Sequence, residues 1–323
     1  MEETAQAAPL LALRDLRVDY SGLQVVRGVS LTVGPGEILG VVGESGCGKS
    51  TLLGAILGLL PRETWTVRGE ILFAGKDLTA LSPEALRRIR GEGIGAVFQN
   101  PGDSLNPSRP IKTQFFEALR AHRPVSRKEA RALALEALER LNLRDGAALL
   151  ESYPFQLSGG QNQRVAIALA MVLQPALLLA DEPTSALDVT VQAQVVRELM
   201  DLRARCGTAM LLVTHNLGVV AHAADRLAVL YAGQVVEAGD KRQVLAHPAH
   251  PYTRALLAAI PDFSGRLPRG LLGSPPPLGE LPAGCAFAPR CPVAETNCAR
   301  RSPALHPVGP DHVCACERGL DHG

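Results

Sequence analysis

What this sequence has little of narrows its class before any motif is read. Net charge is nearly absent: 33 Lys and Arg stand against 32 Asp and Glu, so nothing in the overall charge favours a nucleic-acid partner. No apolar run is long enough to cross a bilayer; the longest, residues 167–180, is interrupted by Gln174 and Pro175. The start of the chain, residues 1–13, has no basic residue ahead of its short apolar run and so lacks the form of a signal peptide. There is no internal repeat, and paired C-x-x-C knuckles are missing. What remains is a chain of 323 residues, 46% hydrophobic, with room for one large or two smaller cored domains, expected to be soluble and cytosolic.

Against that background one stretch stands out: Gly43-Glu44-Ser45-Gly46-Cys47-Gly48-Lys49-Ser50-Thr51 satisfies G-x-x-x-x-G-K-[ST]. An apolar segment of strand length, residues 37–42, precedes it, and a helix-length segment, residues 52–60, follows and is ended by Pro61. Strand, glycine loop and helix in that order form a phosphate cradle. The glycines let backbone N–H groups point at the phosphates, and the helix N-terminus adds partial positive charge. Lys49 reaches the terminal phosphates, and the Ser50 hydroxyl can ligate magnesium. Cys47 reads as a small filler without a redox role. No second such loop occurs, so one chain carries one nucleotide site.

Elsewhere, residues 10–20 and 23–33 alternate at close to a two-residue period and predict antiparallel strands beside the cradle. Residues 67–73 and 94–98 read as further strands, the latter leading to Gln99, with a short basic helix over 85–91. From 113 to 149 alanine, leucine and alternating charges predict amphipathic helices inserted in the sheet. Residues 176–180 and 209–213 are almost wholly apolar, as in parallel strands covered on both faces, with a crossover helix over 191–205 between them. A helix bounded by prolines follows His247, and residues 262–284, dense in Pro and Gly, read as a linker.

Chemistry-bearing residues follow the loop in order. Leu157-Ser158-Gly159-Gly160-Gln161 opens a helix, Ser158 capping it and the glycines exposing backbone donors to an anion. An apolar strand ends in Asp181-Glu182, Ser185-Ala186-Leu187-Asp188 comes next, and His215 ends the following strand. This set resembles the ATP-binding subunits of ABC transporters over about the whole chain. The resemblance implies an α/β fold: a P-loop ATPase core with an antiparallel β subdomain, a helical subdomain over about 108–172, and a Cys-rich C-terminal extension. Its domains would be a nucleotide-binding domain over 1–260 and a linker with a metal-binding tail over 261–323. It also implies roles. Lys49 and Ser50 handle phosphate and magnesium, Asp181 supports the metal, and Glu182 is the general base. Gln99 senses magnesium and water, His215 contacts the γ-phosphate, and Tyr20 is the adenine platform. Ser158, Gly160, Gln161 and Asp188 belong to the nucleotide site, the signature residues touching the nucleotide held by a second ATPase subunit. One departure is Asn162, where many relatives carry a bulkier or basic residue.

Longer strings narrow the branch. Phe98-Gln99-Asn100-Pro101, Ser104-Leu105-Asn106-Pro107, Tyr153-Pro154-Phe155-Gln156, Asp188-Val189-Thr190-Val191-Gln192-Ala193-Gln194 and His250-Pro251-Tyr252-Thr253 look like the dipeptide, oligopeptide and nickel importers. That likeness implies ATP-driven uptake of a peptide or related solute through two separate permease subunits, with an extracytoplasmic solute-binding protein. The chain would be peripheral on the cytoplasmic face of the membrane and paired with a second, different ATPase chain. A soluble ABC ATPase acting on DNA or ribosomes is the alternative. It is disfavoured by the single nucleotide domain and by the separation of only about a hundred residues between Lys49 and Ser158. Of seven cysteines, Cys285, Cys291, Cys298, Cys314 and Cys316 crowd the end of the chain, which in a reducing compartment suggests metal ligation. Zinc remains open from the spacing, with His306 and His312 as possible ligands. The resemblance implies a 4Fe–4S cluster on Cys285, Cys291, Cys298 and Cys316, leaving Cys314 as a spare or competing ligand.

Overall fold

The computed structural model of the protein describes residues 8–100, 104–185, 187–260, 270–271 and 273–317. Pro101, Ala186 and residues 262–269 and 272 of the expected linker lie outside the described residues, as do residues 1–7. The chain divides into two compact units, the first built mainly of Val33–Ile38 and Phe73–Val213, the second of Ala12–Thr32, Leu39–Leu72 and Thr214–Gly323.

The second unit begins with the strands β1 (Leu11–Tyr20) and β2 (Leu23–Val33), joined by Ser21 and Gly22. Both turn residues have positive φ, 46° and 87°, as a tight two-residue hairpin turn requires. The strand β3 (Ile38–Val42), wholly buried, leads into the phosphate loop, and β4 (Trp65–Phe73) lies beside β1. The helix after the loop runs over Lys49–Leu57, three residues short of the end expected at Pro61. The stop is Gly58, whose left-handed conformation turns its N–H back to the Ala55 carbonyl at 3.0 Å.

In the first unit a two-residue strand, β5 (Lys76–Asp77), precedes β6 (Ile94–Val97), β7 (Leu177–Asp181) and β8 (Ala209–Thr214). β6 and β7 pair in parallel, Ile94 facing Leu177, and β7 and β8 likewise, Leu177 facing Ala209. Every residue of β7 and β8 is buried, which is why these runs carry no polar alternation. The crossover helix Val189–Cys206 joins them with Val195, Val196, Leu199 and Leu202 turned inward. The amphipathic stretch forms the helices Ile111–Arg120, Arg127–Glu139 and Gly146–Glu151, which pack on one another, and the helix Gly159–Met171 joins them.

The remaining strands of the second unit were not legible in the sequence. β9 (Arg226–Tyr231) pairs in parallel with β3, Leu39 facing Arg226. β10 (Gln234–Asp240) lies antiparallel to β9. From the cysteine-rich end come β11 (His306–Gly309) and β12 (His312–Cys314), of which β12 pairs antiparallel with β10, Glu237 facing Cys314. Among the described residues the tail therefore forms no sheet of its own. It extends the one that carries β3.

Candidate nucleotide-binding and hydrolysis site

The phosphate loop belongs to the second unit, and its shape demands glycine at two points. A Cβ on Gly43 would come within 2.2 Å of the Leu230 carbonyl oxygen. Gly48 caps the following helix at a φ of 102°, a conformation side chains disfavour. Ser45, Gly46 and Ser50 are exposed along the loop, with Thr51 half-buried behind them. Lys49 is buried, and its Nζ donates to the carbonyls of Gly43 at 2.8 Å and Glu44 at 2.9 Å. Cys47 is buried, and that burial pushes its thiol pKa up despite the neighbouring ammonium, which fits its role as filler.

Two further expected residues lie in this unit. Tyr20 is exposed at the end of β1, with its ring 4.7 Å from that of Trp65. Trp65 was not singled out from the sequence, because it stands 45 positions away (65 − 20) and no motif links the two. His215 is exposed just beyond β8. Its neighbours form a tight turn, Asn216 N–H donating to Thr214 Oγ1 at 3.0 Å and Asn216 Oδ1 accepting from Gly218 N–H at 2.9 Å.

The first unit brings together the residues expected to act on water. Asp181 closes β7 and Glu182 follows it, both buried. Glu182 has a φ of 45°, uncommon for a side chain of its kind, and its N–H donates to the Val213 carbonyl at 2.8 Å. Gln99 Nε2 donates to Glu182 Oε2 at 3.0 Å, so these two site residues are in direct contact across 83 positions of sequence. Ser185 Oγ braces both, within 3.1 Å of the Gln99 carbonyl and 3.0 Å of the Glu182 carbonyl. A carboxylate held this way at a strand end has one fixed orientation for receiving a proton.

The signature forms a capping box. Ser158 Oγ accepts from Gln161 N–H at 3.2 Å, while Gln161 Oε1 accepts from Ser158 N–H at 2.9 Å. A Cβ on Gly160 would meet Val191 Cγ1 at 2.8 Å, so the signature needs glycine there for packing as well as for open backbone. Asn162 donates to the Pro154 carbonyl at 2.9 Å and so ties the helix to the turn before it. The Asp188 carboxylate caps the crossover helix, accepting from Thr190 and Val191 N–H groups, both at 3.0 Å.

Within the second unit the five C-terminal cysteines separate into two sets. Cys285, Cys291, Cys298 and Cys316 line one cavity of about 380 Å³, together with Phe287 and His250. Burial raises the thiol pKa of Cys285 and of Cys291, and the neighbouring thiols add to it. Cys314 instead lies buried in β12 opposite Glu237, its thiol pKa pushed up by burial. Among the described residues no three His, Cys, Asp or Glu side chains are placed to hold a metal ion. His312, a possible zinc ligand, is taken up by Glu237: its Nε2 lies 2.7 Å from Glu237 Oε1. The same buried carboxylate accepts from the N–H groups of Ala249 at 2.7 Å and His250 at 2.9 Å.

Comparison with known proteins agrees with this geometry. Residues 26–185 match the ABC transporter family model, and residues 236–298 match the model of the oligopeptide/dipeptide transporter C-terminal region. A probable peptide ABC transporter ATP-binding protein of Sinorhizobium fredii is 45% identical, over 98% of this chain and 97% of its own. The dipeptide transport ATP-binding protein of Bacillus subtilis is 42% identical, over 95% of this chain and 94% of its own. Among solved structures, an ATP-binding cassette in a dimeric post-hydrolysis state with ADP and Pi aligns with a TM-score of 0.64 and 31% identity, covering 72% of this chain and 99% of that one. The chain belongs to the ABC transporter ATP-binding family, and its P-loop fold is that of an ABC ATPase. It is an ATP-hydrolysing enzyme, and ATP with magnesium fits an ATPase of this family.

Proposed function

We propose that this chain is an energy-coupling subunit of a peptide importer, hydrolysing ATP on the cytoplasmic face of the membrane to drive uptake through separate permeases. The observation that carries the reading is the full-length likeness to peptide and dipeptide transport ATP-binding proteins, joined by the match of residues 236–298 to the oligopeptide/dipeptide C-terminal region. Its partners would be a second ATPase chain of a different kind, two permease subunits and an extracytoplasmic solute-binding protein.

In this reading ATP with magnesium supplies the phosphoryl group and neutralises part of its charge. Gly43, Ser45, Gly46, Cys47, Gly48 and Thr51 shape the cradle, Lys49 would reach the terminal phosphates, Ser50 would ligate magnesium, and Asp181 would support the metal. Tyr20, beside Trp65, offers a face for the adenine. Glu182, oriented by Gln99, takes a proton from the attacking water, and His215 contacts the γ-phosphate. Ser158, Gly160 and Gln161 present the capped helix N-terminus to a nucleotide on the partner ATPase, with Asp188 fixing the adjoining helix. The test is isolation of the intact membrane complex through this chain, followed by ATPase measurement in vesicles. Peptide delivered by the binding protein should stimulate turnover. Co-purification without permeases, or stimulation by sugars and not peptides, would remove the assignment.

The cysteine pocket is part of the same proposal. Four thiols line one cavity of about 380 Å³, and thiolate ligation suits a 4Fe–4S cluster. Cys285, Cys291, Cys298 and Cys316 would hold a 4Fe–4S cluster as a staple for the C-terminal region. Anaerobically prepared protein should then contain iron and acid-labile sulfide, lost when any of the four is changed to Ser and kept in Cys47→Ser and Cys206→Ser. Stoichiometric zinc without iron would replace the cluster by a zinc staple.

A further inference from the structure

The phosphate loop carries one acidic residue, Glu44, in a segment whose work is to bind polyphosphate. A carboxylate there opposes the ligand by charge. The second unit shows what offsets it. Arg290, which comes immediately before Cys291 and ends the turn Ala288–Arg290, grips the Glu44 carboxylate with both guanidinium arms, Nη1 to Oε2 at 2.7 Å and Nη2 to Oε1 at 3.0 Å. The pair spans 246 positions of sequence, and the Arg290 side chain is only 5% exposed. Bidentate pairing of this kind fixes direction as well as charge.

The rest of Glu44 is held as firmly. Its N–H donates to the Tyr252 hydroxyl at 2.9 Å, and its carbonyl accepts from Lys49 Nζ at 2.9 Å. Arg290 is seated in turn by an aromatic cluster. Its guanidinium carbon lies 5.8 Å from the Tyr231 ring and 6.0 Å from that of Phe287, while the Tyr231 and Phe287 rings are 5.3 Å apart. Besides the hydrogen bonds from Lys49 and Cys47, the acidic residue of the loop is thus held by Tyr252 and Arg290, both from the C-terminal part of the chain.

We propose that Arg290 is a positioning residue of the nucleotide site, cancelling and holding aside the Glu44 carboxylate so that the C-terminal region sets the affinity of the loop for polyphosphate. This rests on the reading of residues 43–51 as the nucleotide cradle. Freed of Arg290, the Glu44 carboxylate repels the phosphates, and the loss grows with their charge, so ATP suffers more than ADP.

The test is equilibrium binding of magnesium ATP and ADP to the full-length chain. Arg290→Met should weaken ATP binding about tenfold or more, ADP less, as expected for an uncompensated like charge at a binding site. Adding Glu44→Gln to that variant should restore ATP affinity to within about threefold of wild type, a rescue that a merely structural role for Arg290 would not produce. Arg290→Lys should fall between. Unchanged ATP binding in Arg290→Met, or a double variant no better than the single, overturns the proposal. If Arg290→Met does not fold, Glu44→Gln alone decides: ATP affinity equal to or above wild type supports the proposal, and a clear loss overturns it. Wild-type protein that binds no ATP would sink the cradle reading as well, whereas wild-type binding that Lys49→Ala weakens and Arg290→Met does not would sink this inference alone.

Discussion

At the scale of single residues, a motif names side chains and the fold supplies their partners. Gly43, Lys49 and the Asp181-Glu182 pair are legible because their spacing is local to one strand and its loop. Glu44 drew no attention in the sequence because its partner Arg290 is 246 positions away, and Gln99 reaches Glu182 across 83. His250 is a further case. Its Nδ1 accepts from Tyr252 N–H at 3.0 Å, and burial pulls its pKa from 6.5 down to about 3. The folded state keeps this ring neutral while the unfolded chain protonates it below pH 6.5. Stability is therefore full above 6.5 and lost progressively as pH falls from 6.5 toward 3. Urea titrations should find that His250→Gln, which keeps an acceptor for Tyr252, removes an acid-dependent loss on the order of 2 kcal/mol at pH 4.5. Equal acid sensitivity in the two proteins would refute the assignment.

At the scale of elements, strands buried on both faces were the easiest to read. β7 and β8 are unbroken apolar runs, and the crossover helix between them shows its period. β11 and β12 could not be read in the same way. β12 is three residues long and β11 contains Pro307, so neither offers enough alternation to count. Their place is fixed by β10 instead, where a Cβ on Gly239 would come within 2.3 Å of the Asp311 carbonyl oxygen. Gly239→Val should therefore loosen the C-terminal segment and expose it to protease while the helix after the phosphate loop stays intact. Resistance equal to wild type would argue against this docking. Phe287 is buried among Tyr231, Tyr252 and His250, with ring centroids 5.3–5.8 Å away. Truncation to Ala should cost about 3–5 kcal/mol in denaturant unfolding, the usual cost of deleting a buried aromatic ring.

At the scale of the whole molecule, no helix among the described residues is long and apolar enough to cross a membrane. The capped signature helix opens on an exposed Gly159 and a half-buried Gly160, and the proposed shared site requires a second ATPase to receive its N-terminus. Turnover per chain should rise with protein concentration if that is so, and a rate independent of concentration in a demonstrated monomer would contradict it. The most direct measurement compares ATP binding and steady-state hydrolysis by wild type and Glu182→Gln. Removing the base while leaving the phosphate cradle untouched should keep ATP affinity within a few-fold and lower kcat by about a hundredfold or more. Near-normal hydrolysis by Glu182→Gln, or loss of ATP binding equal to the loss of turnover, would contradict the account.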